Sequence, residues 1–130
     1  QTWEAVQAAA HHGIDNLWAI MDVNRQQCDG AMDDVMTVGD IATKLRDFGA
    51  VVAETDAHDL PAMRAAAATP HPGRPLVVLA HSRPTQGMES LMTRFPRLHY
   101  VRFKSDEERA RMNLEIAAEL GIAPVTLEAH

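Results

Sequence analysis

An apolar run followed at once by polar side chains lies near the start of the chain. Residues 17 to 21 are apolar, residues 22 to 24 read Asp-Val-Asn, and Asp29-Gly30 comes shortly after. A short apolar run that ends abruptly in Asp and Asn is typical of a buried strand in a parallel sheet. Ligands of open α/β sheets bind outside the carboxyl ends of such strands. The pattern therefore makes Asn24 a candidate ligand residue.

The side chain of Asn24 suits one kind of chemistry in particular. An Asn carbonyl is a hard oxygen ligand, which is the kind that Mg²⁺ or Ca²⁺ prefers. The alternative is that Asn24 and Asp29 only shape a turn, because Asn, Asp and Gly are common turn residues. Spacing alone does not decide between these two interpretations.

The elements that position this stretch alternate between helix and strand. The predicted order is helix 2–12, strand 17–21, loop 24–36, a helix that begins near residues 37 to 40 and ends at Gly49, strand 50–54, a helix capped by Asp59, strand 76–80, and a helix from the capping box at residues 105 to 108 to Leu120. The last helix is expected to bury Met112, Ile116 and Leu120 on one face. The pattern predicts an α/β doubly wound parallel sheet with helices on both faces, in which strand 76–80 is central.

Composition narrows the class of protein. The chain has 130 residues, 46% of them hydrophobic, which predicts one domain with a real core. A net charge of −6 argues against a nucleic-acid surface, and the absence of a long apolar run argues against a membrane span. The single cysteine, Cys28, favours a reducing compartment, so a cytoplasmic location is expected. Because the first residue is Gln, the sequence is expected to be a fragment, a processed product or a piece of a longer chain.

Several segments together resemble the transketolase family, and more narrowly its thiamin-diphosphate-binding N-terminal part or the separate N-terminal subunit of split transketolases. The segments that carry the resemblance, within about residues 3 to 92, are 3–5, 10–17, 22–30, 33–36, 48–49, 55–59 and 74–82. The resemblance implies that residues 1–130 are a diphosphate-binding domain whose upstream Gly-Asp-Gly segment lies before Gln1. It also makes residues 56 to 59 a turn and helix cap rather than a metal site.

The resemblance implies a set of cofactor residues. In the family, an Asp, an Asn and a backbone carbonyl two residues past the Asn hold Mg²⁺, which in turn holds the diphosphate of thiamin diphosphate. Asn24 matches the Asn and Gln26 matches the carbonyl donor. Cys28 takes a position near the thiazolium ring, where a small buried hydrophobic residue is the default expectation. Gly87 is the one glycine retained from a turn that contacts the cofactor.

The resemblance also implies roles for two further residues, one near the subunit interface and one near the substrate. Glu4 matches a carboxylate of an acidic network near the dimer interface, although it could simply be a helix-start Glu. His99 is the nearest counterpart of a family His that approaches the diphosphate and substrate, but Tyr100 replaces the glycine that follows it.

Residues 83 to 104 depart from the family pattern. The usual glycine-rich turn is replaced by Pro-Thr-Gln-Gly at residues 84 to 87, and a basic cluster follows at Arg94, Arg97, Arg102 and Lys104. One hypothesis is that at least one of these arginines reaches a phosphate, since Arg suits bidentate phosphate binding. The alternative is an interface in which Phe95, Leu98, Tyr100 and Phe103 pack on a partner.

The resemblance implies a function in which this chain is one part of an enzyme. That function is transfer of a two-carbon ketol unit between sugar or sugar-phosphate substrates, with thiamin diphosphate and Mg²⁺ (or Ca²⁺) as cofactors. A pyrimidine-domain or C-terminal subunit would complete the site in a dimer or an α2β2 assembly, so the chain alone is expected to be inactive. The alternatives are another thiamin diphosphate enzyme, of deoxyxylulose-phosphate-synthase-like or 2-oxo-acid-processing type, and a non-catalytic scaffold relative.

Overall fold

The computed structural model describes residues 1–100 and 102–125. Its elements, in chain order, are α1 (Thr2–His11), β1 (Trp18–Val23), β2 (Gln26–Gln27), β3 (Gly30–Ala31), α2 (Met32–Val35), α3 (Ile41–Asp47), β4 (Val51–Asp56), α4 (Leu60–Ala67), β5 (Leu76–His81), a 3₁₀ helix (Glu89–Arg94) and α5 (Asp106–Leu120). They fall into two compact units. The first unit comprises Gln1–Asn24 and Val38–Ser82, and the second comprises Arg25–Thr37 and the described residues from Arg83 onward.

The first unit is built on a three-stranded parallel sheet in the order β1-β5-β4. The middle strand β5 has a hydrogen-bonded neighbour on each side and is buried along its length from Leu76 to Ala80. The predicted central strand is therefore confirmed. A continuous apolar sequence is what a strand covered on both faces requires.

Strand β1 differs from its prediction in two ways. It is an edge strand whose Trp18 and Ile20 side chains are 56% and 51% exposed, so the prediction of a buried strand is wrong. It also continues through Asp22 to Val23, which pair with Ala80 and His81 of β5. The residues expected to form a polar elbow are thus strand residues, and the chain leaves the sheet only at Asn24.

Helices α1 and α3 supply the core on one face of the sheet. Leu45 of α3 is fully buried in a cluster with Val77 and Leu79 of β5, and the Trp3 side chain of α1 packs against that cluster. Trp3 also stacks on Phe48, with ring centroids 5.8 Å apart.

Capping residues begin the helices that flank the sheet. Asp40 accepts a hydrogen bond from the Thr43 backbone N–H at 2.9 Å, and Asp59 accepts one from Ala62 at the same distance. Helix α3 lies on the crossover from β1 to β4, and α4 lies on the crossover back from β4 to β5. Since these crossovers run in opposite directions, right-handed connections place the two helices on opposite faces. The predicted α/β sheet flanked by helices is confirmed.

The turn that ends α3 gives a stability prediction. Gly49 has a φ of +97°, and a Cβ there would lie 2.6 Å from the Ala10 Cβ of α1. We expect Gly49→Ala to lower the free energy of unfolding by about 2 to 4 kcal/mol, through left-handed strain and overpacking. Gly73 also has a positive φ but has nothing within 4 Å of its Cβ position, so Gly73→Ala should cost about 1 kcal/mol. Urea unfolding of both variants measures the difference, and equal losses would contradict the packing argument.

The second unit is described by itself. Residues expected to form a loop contain a short antiparallel pair, β2 with β3, followed by the one-turn helix α2. Helix α5 begins at Ser105, whose side chain accepts from the Glu108 N–H, and ends at Gly121 with a φ of +64°. Both of its ends agree with the prediction.

The buried face of α5 differs in part from its prediction. Met112 and Ala117 are buried, whereas Ile116 and Leu120 are 39% and 63% exposed. In the part of the chain that the structure describes, no helix combines the length and the apolar character needed to span a bilayer.

Candidate functional site

Polar residues gather at the carboxyl edge of the parallel sheet in the first unit. Val23, His81 and Asp56 are the last residues of the three strands, and the register pairs them at the same level. Asn24 follows β1 directly and Ser82 follows β5 directly. This is the edge at which open α/β sheets bind their ligands.

Asp22 joins the ends of β1 and β5. Its Oδ2 accepts a hydrogen bond from Asn24 Nδ2 at 2.9 Å, and its Oδ1 accepts one from Ser82 Oγ at 2.5 Å. The Ser82 backbone N–H donates to the Val23 carbonyl at 3.3 Å, which continues the pairing of the two strands. Asn24 is half-buried. The side chain of Asn24 is therefore held by a carboxylate that is itself tied to the neighbouring strand.

The opposite face of the same edge carries an ion-pair chain. His81 Nε2 lies 3.1 Å from Glu54 Oε2, and Arg46 contacts Glu54 Oε1 at 3.4 Å. Glu54 pairs with Leu79, two residues before His81, so both side chains lie on the face opposite Asp22. These side chains are roughly half exposed, so the pairs contribute little to stability.

The acidic turn after β4 is a helix start. Asp56 Oδ1 accepts from the His58 backbone N–H at 2.8 Å, and Asp59 caps α4. The predicted turn and cap are confirmed. Over residues 1–100 and 102–125, no group of three or more His, Cys, Asp or Glu side chains is arranged to hold a metal ion.

The donor chemistry at Asn24 fits a hard cation that is only partly bound by protein side chains. The Asn24 side chain carries one amide oxygen at the carboxyl edge, and Asp22 holds the nitrogen of that amide. Mg²⁺ usually keeps waters and phosphate oxygens as ligands and takes only one or two from side chains.

Two predicted cofactor residues lie in the hairpin of the second unit. Gln26 is half-buried in β2, where it pairs with Ala31. Cys28 is exposed, so the expectation of a small buried residue is wrong. The reason is local, because β2 and β3 leave Cys28 and Asp29 as the connecting turn.

Gly87 and His99 also belong to the second unit. Gly87 has a φ of +75°, and a Cβ there would lie 2.8 Å from Glu119 Oε1. The positive φ and this short distance are structural reasons for a glycine at position 87. They are separate from its predicted contact with the cofactor. His99 is exposed and meets the Tyr100 ring edge to face, with centroids 4.5 Å apart.

Glu4 lies in the first turn of α1 and is exposed. A hydrogen bond from its own backbone N–H is the main cause that lowers the pKa of this carboxyl group. That position fits the helix-start interpretation, and its part in an acidic network stays a prediction.

The arginines of the basic cluster at residues 94 to 104 differ in their contacts and in their exposure. Arg94 donates to Glu108 Oε1 at 2.6 Å and to the Arg102 carbonyl at 2.5 Å. Both side chains of the Arg94–Glu108 pair are only 15% exposed, and the hydrogen bond from Arg94 is the main cause that lowers the pKa of Glu108. Arg94 therefore has a structural role, and Arg97 and Arg102 remain the exposed arginines of the cluster.

The exposed aromatic side chains of the same segment support the alternative interpretation, in which the segment packs on a partner. Phe95, Tyr100 and Phe103 are 50%, 72% and 48% exposed. Exposed aromatic side chains close together in sequence are typical of a surface that packs on another protein.

Sequence reasoning missed Asp22 as the partner of Asn24 and Ser82 as the second partner of Asp22. Ser82 lies 60 positions from Asp22 along the chain. The signal that could have found them is that polar residues follow two neighbouring parallel strands, whose ends must lie side by side.

The fold and this edge define an α/β protein in which polar side chains gather at the carboxyl ends of parallel strands. Comparisons with known proteins show what this chain is similar to. The chain is 31% identical over 110 residues to an uncharacterized transketolase family protein of Sinorhizobium fredii, a match covering 82% of this chain and 39% of that protein. It is 31% identical over 106 residues to one of the subunits of the apulose-4-phosphate transketolase of Actinobacillus succinogenes, covering 81% of this chain and 38% of that relative. No family model matches.

These two similarities support a relationship between this chain and the transketolase family. The chain spans about two fifths of the length of both curated relatives. The activity of a whole relative is therefore only proposed for this chain.

Proposed function

We propose that this chain is the diphosphate-binding part of a thiamin diphosphate- and Mg²⁺-dependent enzyme of transketolase type. The reaction is transfer of a two-carbon ketol unit between sugar or sugar-phosphate substrates. The observation that carries the proposal is Asn24, an amide held by Asp22 at the carboxyl edge of a parallel sheet, in a chain related to transketolases.

The residues have distinct proposed roles. Asn24 supplies its side-chain oxygen, and Gln26 its backbone carbonyl, to the Mg²⁺ that holds the diphosphate. Cys28 and Gly87 contact the cofactor. Thiamin diphosphate stabilises the carbanion when it is bound, while the protein binds and orients it.

Glu4 and His99 have proposed roles nearer the reaction. Glu4 joins an acidic network near a subunit interface. His99 is proposed to approach the diphosphate and substrate in the assembled enzyme. Both residues are exposed in the structure, so both are open to contact with a second chain or a ligand.

The partner is proposed to be a pyrimidine-binding domain or subunit, in a dimer or an α2β2 assembly. One support is that a curated relative is named as one of the subunits of a transketolase. Another is the set of exposed aromatic side chains at Phe95, Tyr100 and Phe103. In this proposal the present chain holds only one half of the site and does not turn over alone.

Cofactor binding tests the proposal. In calorimetry, the full-length protein with its partner should bind thiamin diphosphate when Mg²⁺ is present and should lose that binding in EDTA. Titrating Mg²⁺ back should restore the affinity, because the metal links protein and diphosphate. An absence of binding in both conditions would contradict the proposal and favour a scaffold role. Release of carbon dioxide from a 2-oxo acid would instead favour the other thiamin diphosphate enzymes.

A further inference from the structure

The hydrogen bonds at the carboxyl edge suggest a function for two residues with no assigned role. We propose that Asp22 and Ser82 are positioning residues, which fix the Asn24 amide so that its oxygen is presented to the metal of the diphosphate. The inference rests on the function proposed above. Both residues lie in the first unit, as does Asn24.

The geometry of the Asn24 amide fixes where its oxygen points. An Asn side chain has an oxygen that accepts and a nitrogen that donates, on opposite sides of one planar group. Asn24 Nδ2 donates to Asp22 Oδ2 at 2.9 Å. The nitrogen is thereby directed at Asp22, and the oxygen is directed away from it.

Asp22 is itself held in place from the neighbouring strand. The other oxygen of its carboxylate accepts from Ser82 Oγ, and Ser82 is tied by its backbone N–H to the Val23 carbonyl. Asp22 is itself a paired residue of β1, opposite Ala80 of the buried strand β5. The orientation of Asn24 is therefore set by the paired ends of β1 and β5 and not by the connection that follows β1.

A carboxylate suits position 22 because of the donors around it. Two donors, one from Asn24 and one from Ser82, converge on Asp22, and an ionised carboxylate has one acceptor oxygen for each. An Asn at position 22 keeps the same shape. Its oxygen can accept from Asn24, and its nitrogen can donate to a rotated Ser82 hydroxyl. A positioning role thus tolerates Asn, whereas a role as an anionic metal ligand does not.

The experiment compares four variants in the full-length protein with its partner. Calorimetry measures the affinity for thiamin diphosphate with Mg²⁺, and the side-chain amide signal of Asn24 is followed by ¹⁵N NMR. Asp22→Ala should weaken binding about 10- to 100-fold, as is common when a residue that orients a metal ligand is lost. Asp22→Asn and Ser82→Thr should stay within about threefold of wild type, and Ser82→Ala should fall between these groups.

The NMR signal gives a readout that does not depend on the cofactor. The Asn24 amide resonances should shift in Asp22→Ala and Ser82→Ala without ligand, because the hydrogen bond that orients the amide is lost or loosened. They should stay near their wild-type positions in Ser82→Thr. Unchanged Asn24 resonances in Asp22→Ala would overturn the inference.

Three binding results would also overturn it. Wild-type affinity in Asp22→Ala would remove the positioning role and leave the proposed function standing. Equal losses in Asp22→Asn and Asp22→Ala would show that the charge of Asp22 acts directly. If the wild-type protein binds no cofactor, the proposed function fails and the positioning role fails with it. Ser82→Ala keeps the inference falsifiable should Asp22→Ala not fold, because wild-type affinity together with unchanged Asn24 resonances in Ser82→Ala would also overturn it.

Discussion

Asn24→Ala is expected to abolish Mg²⁺-dependent binding of thiamin diphosphate while leaving the fold intact. We expect an affinity loss of at least about 100-fold, because removing a metal ligand should exceed the effect of removing a residue that orients one. The fold should survive because Asn24 follows the last paired residue of β1 and the sheet register ends at Val23. Calorimetry measures the affinity, and circular dichroism with thermal unfolding checks the fold.

Asn16→Ala is the matched control for this variant. Asn16 is exposed and precedes β1, so it lies at the amino edge of the same sheet. The same chemical change there should leave cofactor affinity at the wild-type value. Unchanged affinity in Asn24→Ala would contradict the proposed metal role, and equal losses in both variants would point to a general effect on the sheet.

Activity is expected only in the complete assembly. The 130-residue chain alone should show no ketol transfer, and the full-length protein with its pyrimidine-domain partner should transfer a two-carbon unit from a ketose phosphate to an aldose phosphate. The reason is that, in the proposed function, this chain supplies only the diphosphate-binding half of the site and a partner supplies the pyrimidine-binding half. A coupled assay of the aldose product measures turnover.

Two further activity assays test the assembly prediction. The full-length protein without its partner should be inactive, and the assembly reconstituted with the Asn24→Ala chain should be inactive although it still forms. Turnover by the isolated 130-residue chain would contradict the proposed division of the site.

Local sequence signals predicted the regular elements well. Asp59 and Ser105 cap their helices as expected, because a side-chain oxygen at that position satisfies a free backbone N–H. Gly49 and Gly121 end helices with positive φ. The five apolar residues from Leu76 to Ala80 form the central strand. All of these features are encoded within a few residues of chain.

Features that depend on tertiary neighbours were not predictable. The run before Asn24 is as apolar as a central strand, but only one strand pairs with it among the described residues, so Trp18 and Ile20 are exposed. The register of β5 carries Ser82 to Asp22, and no local pattern encodes a contact across that separation. Arg94 was expected among possible phosphate ligands, but it pairs with Glu108 on the helix that follows.

The most direct measurement is a crystal structure of the full-length protein and its partner with thiamin diphosphate and Mn²⁺, read by the anomalous signal of the metal. Mn²⁺ replaces Mg²⁺ here because both prefer oxygen ligands. We expect an anomalous peak at about 2.0 to 2.2 Å from the Asn24 side-chain oxygen, with diphosphate oxygens on the same ion. A metal and diphosphate bound away from the carboxyl edge of β1, with the Asn24 oxygen making no contact to the metal, would contradict it.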